Sequence, residues 1–302
     1  MVRLTVLNDI HLKPTYDTVI DEFELPANTD AVLITGDLID QVDEDSITQA
    51  RQLLSRLEEA AVPTVVVPGN HDPRDSAERF VTGFRYVQLA HDRLVSGTEY
   101  PVDTLFDTLA VAGWGCTQFD AGCELSYAAA TAFEIRDDYG YVDQYAEQQA
   151  VQELLAAIDA LLAEETTSHE VVEEFGLPSA ASTAVESVVT VGTRLIELLQ
   201  QSSPVLLATH VPPFGTDLDR HHSAEQREMD GLHNGSLAVA GAIRAADPAI
   251  ACFGHSHVQG YRMYETASTH LLNGGFRGVT TIDLSADGFG YAFHEPDWLP
   301  GS

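Results

Sequence analysis

Leu33-Ile34-Thr35-Gly36-Asp37-Leu38-Ile39-Asp40 decides how the rest of the chain is read. Ala31 to Ile34 is an unbroken apolar run rich in branched side chains, the pattern of a strand covered on both faces. Gly36 permits the sharp turn that follows, so Asp37 projects from the strand end, where open α/β sheets place their ligands. A single Gly-Asp after a strand is ordinary turn chemistry. Its repetition is not.

Leu4-Thr5-Val6-Leu7 runs into Asn8-Asp9-Ile10-His11, and Thr64-Val65-Val66-Val67 runs into Pro68-Gly69-Asn70-His71-Asp72. Pro204 to Ala208 ends in Thr209-His210-Val211-Pro212-Pro213-Phe214, and Ala249 to Phe253 ends in Gly254-His255-Ser256-His257. Each apolar run delivers metal-capable side chains to a loop. Asp9 and His11, two residues apart, point the same way if the backbone there stays extended.

Between the strands, Ile47, Ala50, Leu54, Leu57 and Ala61 recur at helical spacing until Pro63. Tyr86 to Leu89, Arg93 to Val95 and Thr108 to Ala112 continue the sheet. Residues 139–201 differ in kind. One helical stripe runs from Val151 to Leu162 and a second from Val185 to Leu199, with a break at 175–179 and no side chain of obvious chemical use. This segment reads as a helical insertion in a single domain spanning 1–302. Ser236 caps a helix over Leu237 to Ala246. His221 and His222 read as loop residues, and the tail through Leu284 as closing strands without chemistry.

Composition narrows the function. The net charge is −32, from 47 acidic against 15 basic residues, and Lys13 is the only lysine. An acidic coat of this kind suits a cytoplasm holding molar salt, where the Debye length falls to about 3 Å and self-repulsion is screened. It argues against long nucleic acids, whose affinity depends on neutralised phosphates. Cys116, Cys123 and Cys252 form no framework of paired bridges, in keeping with a reducing cytoplasm. No stretch approaches the roughly 18 apolar residues of a membrane helix.

The strand-end groups Asp9, His11, Asp37, Asn70, His210, His255 and His257 are seven oxygen or nitrogen donors without sulfur. That is too many for one tetrahedral zinc and suits two first-row divalent ions. Manganese heads the expectation, and iron, zinc, cobalt or nickel fit the same donors. Two such ions can lower the pKa of a shared water and clamp an in-line displacement at phosphorus. His71 is then free to protonate the departing alkoxide, with Asp72 helping to hold its imidazolium.

The ordered blocks Asp9-x-His11, Gly36-Asp37, Gly69-Asn70-His71-Asp72, His210 and Gly254-x-His257 resemble the calcineurin-like metallophosphoesterases, and the His210-Val-Pro-Pro-x-Gly215 loop and His233-x-Gly235-Ser236 segment resemble their small stand-alone archaeal-type members. The resemblance implies an α/β fold in which two mixed β-sheets pack as a sandwich flanked by helices. It implies that Asp9, His11 and His257 hold one ion, that Asn70, His210 and His255 hold the other, and that Asp37 bridges. His71 falls on the family's leaving-group acid. Asn8 stands where serine is frequent and Leu12 where glycine is. The expected substrate is a small phosphate ester, a monoester or a diester. A nuclease of the same superfamily and a scaffold without turnover are the alternatives, and the oligomeric state is not fixed by sequence.

Overall fold

The computed structural model of the chain describes residues 2–15, 17–115, 143–179, 181–220, 231–264, 267–285, 288–295 and 298. Each apolar run forms a strand. β1 (Val2–Asn8), β2 (Ala31–Thr35), β3 (Thr64–Val67) and β4 (Val87–Leu89) lie parallel in one six-stranded sheet. The second six-stranded sheet has β5 (Arg93–Val95), β6 (Ala110–Trp114), β7 (Val205–Thr209), β8 (Ile250–Phe253), β9 (Gly260–Met263) and β10 (His270–Asn273), in the order β5-β6-β7-β8-β10-β9. β6, β7, β8 and β10 are parallel, with β5 and β9 antiparallel at the edges. β11 (Gly278–Ser285) returns to the first sheet antiparallel to β1, and β12 (Gly288–His294) pairs outside it. This is the two-sheet α/β sandwich that the resemblance implies.

Packing explains why the strands do not alternate between apolar and polar. Leu33, Leu4, Val6 and Val65 turn into the space between the sheets, against Val111, Leu206, Ala208 and Cys252. Val32 and Ile34 turn outward. Short helices α1 (Asp17–Glu22) and α3 (Arg74–Val81) flank the long α2 (Glu44–Glu59), whose Ile47, Ala50, Leu53, Leu54 and Leu57 meet that outer face. Burying each large side chain contributes roughly 1.5–3 kcal/mol, so both faces favour the same hydrophobic run. Asp43 starts α2 by accepting the Ser46 N–H at 2.7 Å.

The expected helical stripes are α4 (Gln144–Leu162) and α6 (Ala181–Leu199). Between them lies α5 (Ser168–Glu174), too short for periodicity to reveal. Leu154, Ile158, Val171, Val185 and Val188 pack together, and with them Leu237 and Ala240 of α7 (Leu237–Ala246) and Phe214 from the loop after β7. α6 and α7 also cover the outer face of the second sheet through Leu195, Leu198, Val239 and Ile243. Among the described residues no helix is long and apolar enough to cross a membrane. Cys116, Cys123, His221 and His222 lie outside the described residues.

Candidate metal centre

The carboxyl ends of β1, β2, β3, β7 and β8 meet at one edge of the sandwich, and the loops that leave them cross from sheet to sheet. Two glycines make the approach possible. Gly36 has φ +91°, and a Cβ there would stand 2.4 Å from His210 Nδ1. A Cβ on Gly254 would stand 2.4 Å from Asp9 Oδ2. Each loop is therefore pressed against a donor from the opposite sheet.

The expected extended backbone at the donor pairs is not what forms. Asp9, His11, Asp37, His255 and His257 have φ of 45°, 49°, 51°, 67° and 58°, the left-handed region. Asp and His visit this region more readily than most residues, yet five together at one locus mark a site whose backbone serves geometry before local preference. The strands stop one residue or more before the donors, so side-chain direction comes from tight turns. His11 N–H donates to Asp37 O at 2.9 Å, which ties the first two loops together.

Around Asn70 the polar atoms face one another closely. His210 donates Nδ1–H to Thr35 O at 2.8 Å, which leaves Nε2 as the nitrogen facing the other donors, to hold either a proton or a cation. That Nε2 lies 2.9 Å from Asn70 Oδ1 and 3.3 Å from Asp37 Oδ2. A lone pair facing two oxygens is stable only with a proton or a cation between them. His255 Nδ1 lies 3.0 Å from the same Asn70 oxygen. On the other side, His11 Nε2 is buried without a hydrogen-bond partner, 3.7 Å from Asp37 Oδ2. His257 Nε2 lies 4.0 Å from Asp9 Oδ1. These gaps exceed hydrogen-bond range but match the span of two metal–ligand bonds of about 2 Å. The donor set fits divalent cations.

Three groups among the described residues have ligand atoms within 4.8 Å of one another: Asp9 with His11 and His257, Asp9 with Asp37 and His210, and His11 with Asp40 and His71. Burial governs their protonation. It lifts the Asp9 carboxyl to about 7, the Asp37 charge adding to the rise while His210 opposes it. Burial would also raise Asp37, but the charge and hydrogen bond of His210, with His11, outweigh it and hold Asp37 below the usual carboxylate range. Burial alone would lower His210, yet Asp37 and then Asp9 raise it to about 10. His11, mainly desolvated, falls to about 4.

A profile of the calcineurin-like phosphoesterases matches residues 2–259 of the chain. The chain belongs to that family. One solved structure, 14% identical, superimposes with a TM-score of 0.52 over 98% of this chain and 99% of that chain. The protein TT1561 from Thermus thermophilus is 15% identical with a TM-score of 0.47, over 97% of this chain and 99% of that chain. Phosphopantetheinyl hydrolase from Mycobacterium tuberculosis is 15% identical with the same score, over 91% and 89%. No curated protein sequence matches.

In this calcineurin-like chain, all seven expected donors come together. Asp72 does something other than expected. Its buried carboxylate accepts Gly69 N–H at 2.6 Å and Asp37 N–H at 3.0 Å on Oδ1, and Leu38 N–H at 2.6 Å on Oδ2. It therefore clasps the β2 and β3 loops and makes no ion pair with His71. Three backbone N–H groups that would otherwise be orphaned in the interior compete for it, and they win. The ring of His71 is held instead by the Asp40 carbonyl, 2.6 Å from Nδ1. The His71 backbone N–H donates to Asp37 Oδ1 at 2.8 Å.

Sequence reasoning missed Asp40. Its carboxylate lies 3.5 Å from His11 Nδ1 and 3.4 Å from the Lys13 ammonium. A partner at Nδ1 orients the His11 ring so that Nε2 faces the other donors. The only signal was an acid three residues after Asp37, which is weak in so acidic a chain. The tail also departs from expectation, because the turn after β10 lies against the site. Arg277 N–H donates to Asp9 O at 3.0 Å, and the Phe276 ring centroid is 4.8 Å from that of His257 and 5.5 Å from that of His11.

Proposed function

We propose that this protein hydrolyses small organic phosphate esters, nucleotides among them, with two divalent cations held by its strand-end loops. The observation that carries the reading is the facing of His210 Nε2 with Asn70 Oδ1 and Asp37 Oδ2, beside a buried His11 Nε2 without a partner. Asp9, His11 and His257 would hold one cation and Asn70, His210 and His255 the other. Asp37 Oδ2, within 3.3 Å of His210 Nε2 and 3.7 Å of His11 Nε2, would serve both. Manganese is the first choice of ion. When bound, the pair would activate a water and offset charge on the phosphoryl oxygens.

The chain's own groups supply the rest. His71 shares Nδ1–H with Asp40 O, so its Nε2 is the atom that would carry a proton to the leaving oxygen. The exposed position of His71 lets that oxygen reach it. Asp72 positions both Asp37 and the Gly69 turn by their backbones. The acidic surface disfavours extended polyanions and leaves small esters as the better substrates. We also infer a single domain, with α4 to α6 inserted into it, working in a salt-rich cytoplasm.

The test is a panel with Mn²⁺ in molar KCl: p-nitrophenyl phosphate, bis-p-nitrophenyl phosphate, cyclic nucleotides and single-stranded DNA. Cleavage of at least one small ester is expected, and His71→Gln should slow it by roughly 10²–10⁴ while bound manganese stays constant. A manganese-replete protein that cleaves none of them ends the reading. Loss of metal in His71→Gln would show that His71 is a ligand, not the acid.

A further inference from the structure

We propose that Phe276 is a stacking platform that selects phosphate esters carrying a flat aromatic group. The inference rests on the phosphoesterase reading above. Phe276 is 42% exposed, and of the large apolar side chains so exposed among the described residues it is the one in ring contact with the metal donors. A lone exposed phenyl ring would need no explanation. This one is fixed in place at the mouth of the site.

The turn that carries it is pinned on both sides. Gly275 N–H donates to Asn273 Oδ1 at 2.9 Å, Gln259 Nε2 donates to Gly274 O at 3.1 Å, and Arg277 N–H donates to Asp9 O at 3.0 Å. Gly275 and Arg277, on either side of the phenylalanine, take φ of 78° and 51°. The Arg277 guanidinium lies over the ring, 4.8 Å from its centroid, and backs it by cation–π attraction. The turn and the cation fix the ring before any ligand arrives, which lowers the ordering cost of stacking.

Position points to the leaving group. The His11 ring has His71 at 4.8 Å and Phe276 at 5.5 Å, so the proton donor and the phenyl ring flank the same imidazole. An ester whose leaving oxygen meets His71 carries its organic part along the rim where Phe276 is exposed. A planar ring there would stack offset or edge-on, as aromatic pairs prefer. The competing role for Phe276 is a plain hydrophobic cover that keeps water from His11 and His257, and the two roles part in experiment.

Calorimetric titration of the manganese-loaded protein in molar KCl would use the carbon-linked 5′-phosphonate analogues of AMP and of ribose 5-phosphate, which differ only by the base and resist hydrolysis. A second pair, phenylphosphonate and methylphosphonate, distinguishes simple aryl esters from nucleotides. The aromatic member of at least one pair should bind about tenfold more tightly. Phe276→Ala should bring that ratio to about one with manganese content held, and Phe276→Trp should restore it. Ratios near one in the unaltered protein, or metal loss and equal weakening of all ligands in Phe276→Ala, would overturn the platform. Esters cleaved without aromatic preference would end this inference alone. A ratio of ten in a protein that cleaves no ester would end the phosphoesterase reading alone.

Discussion

The first sheet and the second contribute unlike halves of one site. β1, β2 and β3 deliver Asp9, His11, Asp37 and Asn70, three of them oxygen donors, and the two carboxylates are almost wholly buried. β7 and β8 deliver only imidazoles, whose exposure rises from none at His210 to 44% of the His257 side chain. The oxygen half is a closed scaffold, tied by the Asp72 clasp and the His11 to Asp37 backbone bond. The imidazole half opens toward solvent at His257, beside Phe276. Charge is held where side chains are buried, and solvent reaches the site at His257 and His71.

If the halves differ in this way, the largest effect belongs to the group that faces both. Asp37→Asn should lower bound metal from two ions to fewer than one by elemental analysis and take turnover to background, whereas His257→Ala should weaken one ion and leave the other in place. Equal losses in the two variants would erase the distinction. Next comes the clasp. Asp72→Ala leaves three buried N–H groups without an acceptor and should cost about 3 kcal/mol of unfolding free energy in denaturant titrations. An unchanged midpoint would mean that the loops do not depend on it.

Proton competition gives a smaller, graded effect. With Asp9 lifted to about 7 by burial and His210 to about 10 chiefly by the Asp37 charge, both keep a proton at pH 6 in the absence of metal. A divalent ion must displace these protons, so affinity should rise with pH by at least about tenfold per unit below 7. A flat profile between pH 6 and 8, measured calorimetrically, would contradict the protons assigned to Asp9 and His210. Smallest is the effect of salt on the whole surface. With a net charge of −32, the melting temperature should climb from dilute to molar KCl, and indifference to KCl would remove the salt-adapted reading.

Much of this was legible because it is local. Apolar runs with no alternation announce strands covered on both sides, and the donors follow directly in sequence: Asp9 after Leu7, Asp37 after Ile34, His210 after Ala208 and His255 after Phe253. The long stripes of α4 and α6 were equally plain. β12 was not, since Gly288 and Gly290 dilute its alternation, and neither was α5, which makes fewer than two full turns.

The sequence by itself determined that seven oxygen and nitrogen donors leave strand ends, because residue type and period are properties of short segments. Only the tertiary structure decided what each does. That Asp72 clasps loops rather than holding His71, that Asp40 orients His11, and that Phe276 returns to the rim are contacts made when two sheets pack with their carboxyl ends together. The left-handed turns at five donors belong to the same class. They accompany loops that cross from one sheet to the other, and no stretch of sequence contains its own neighbours.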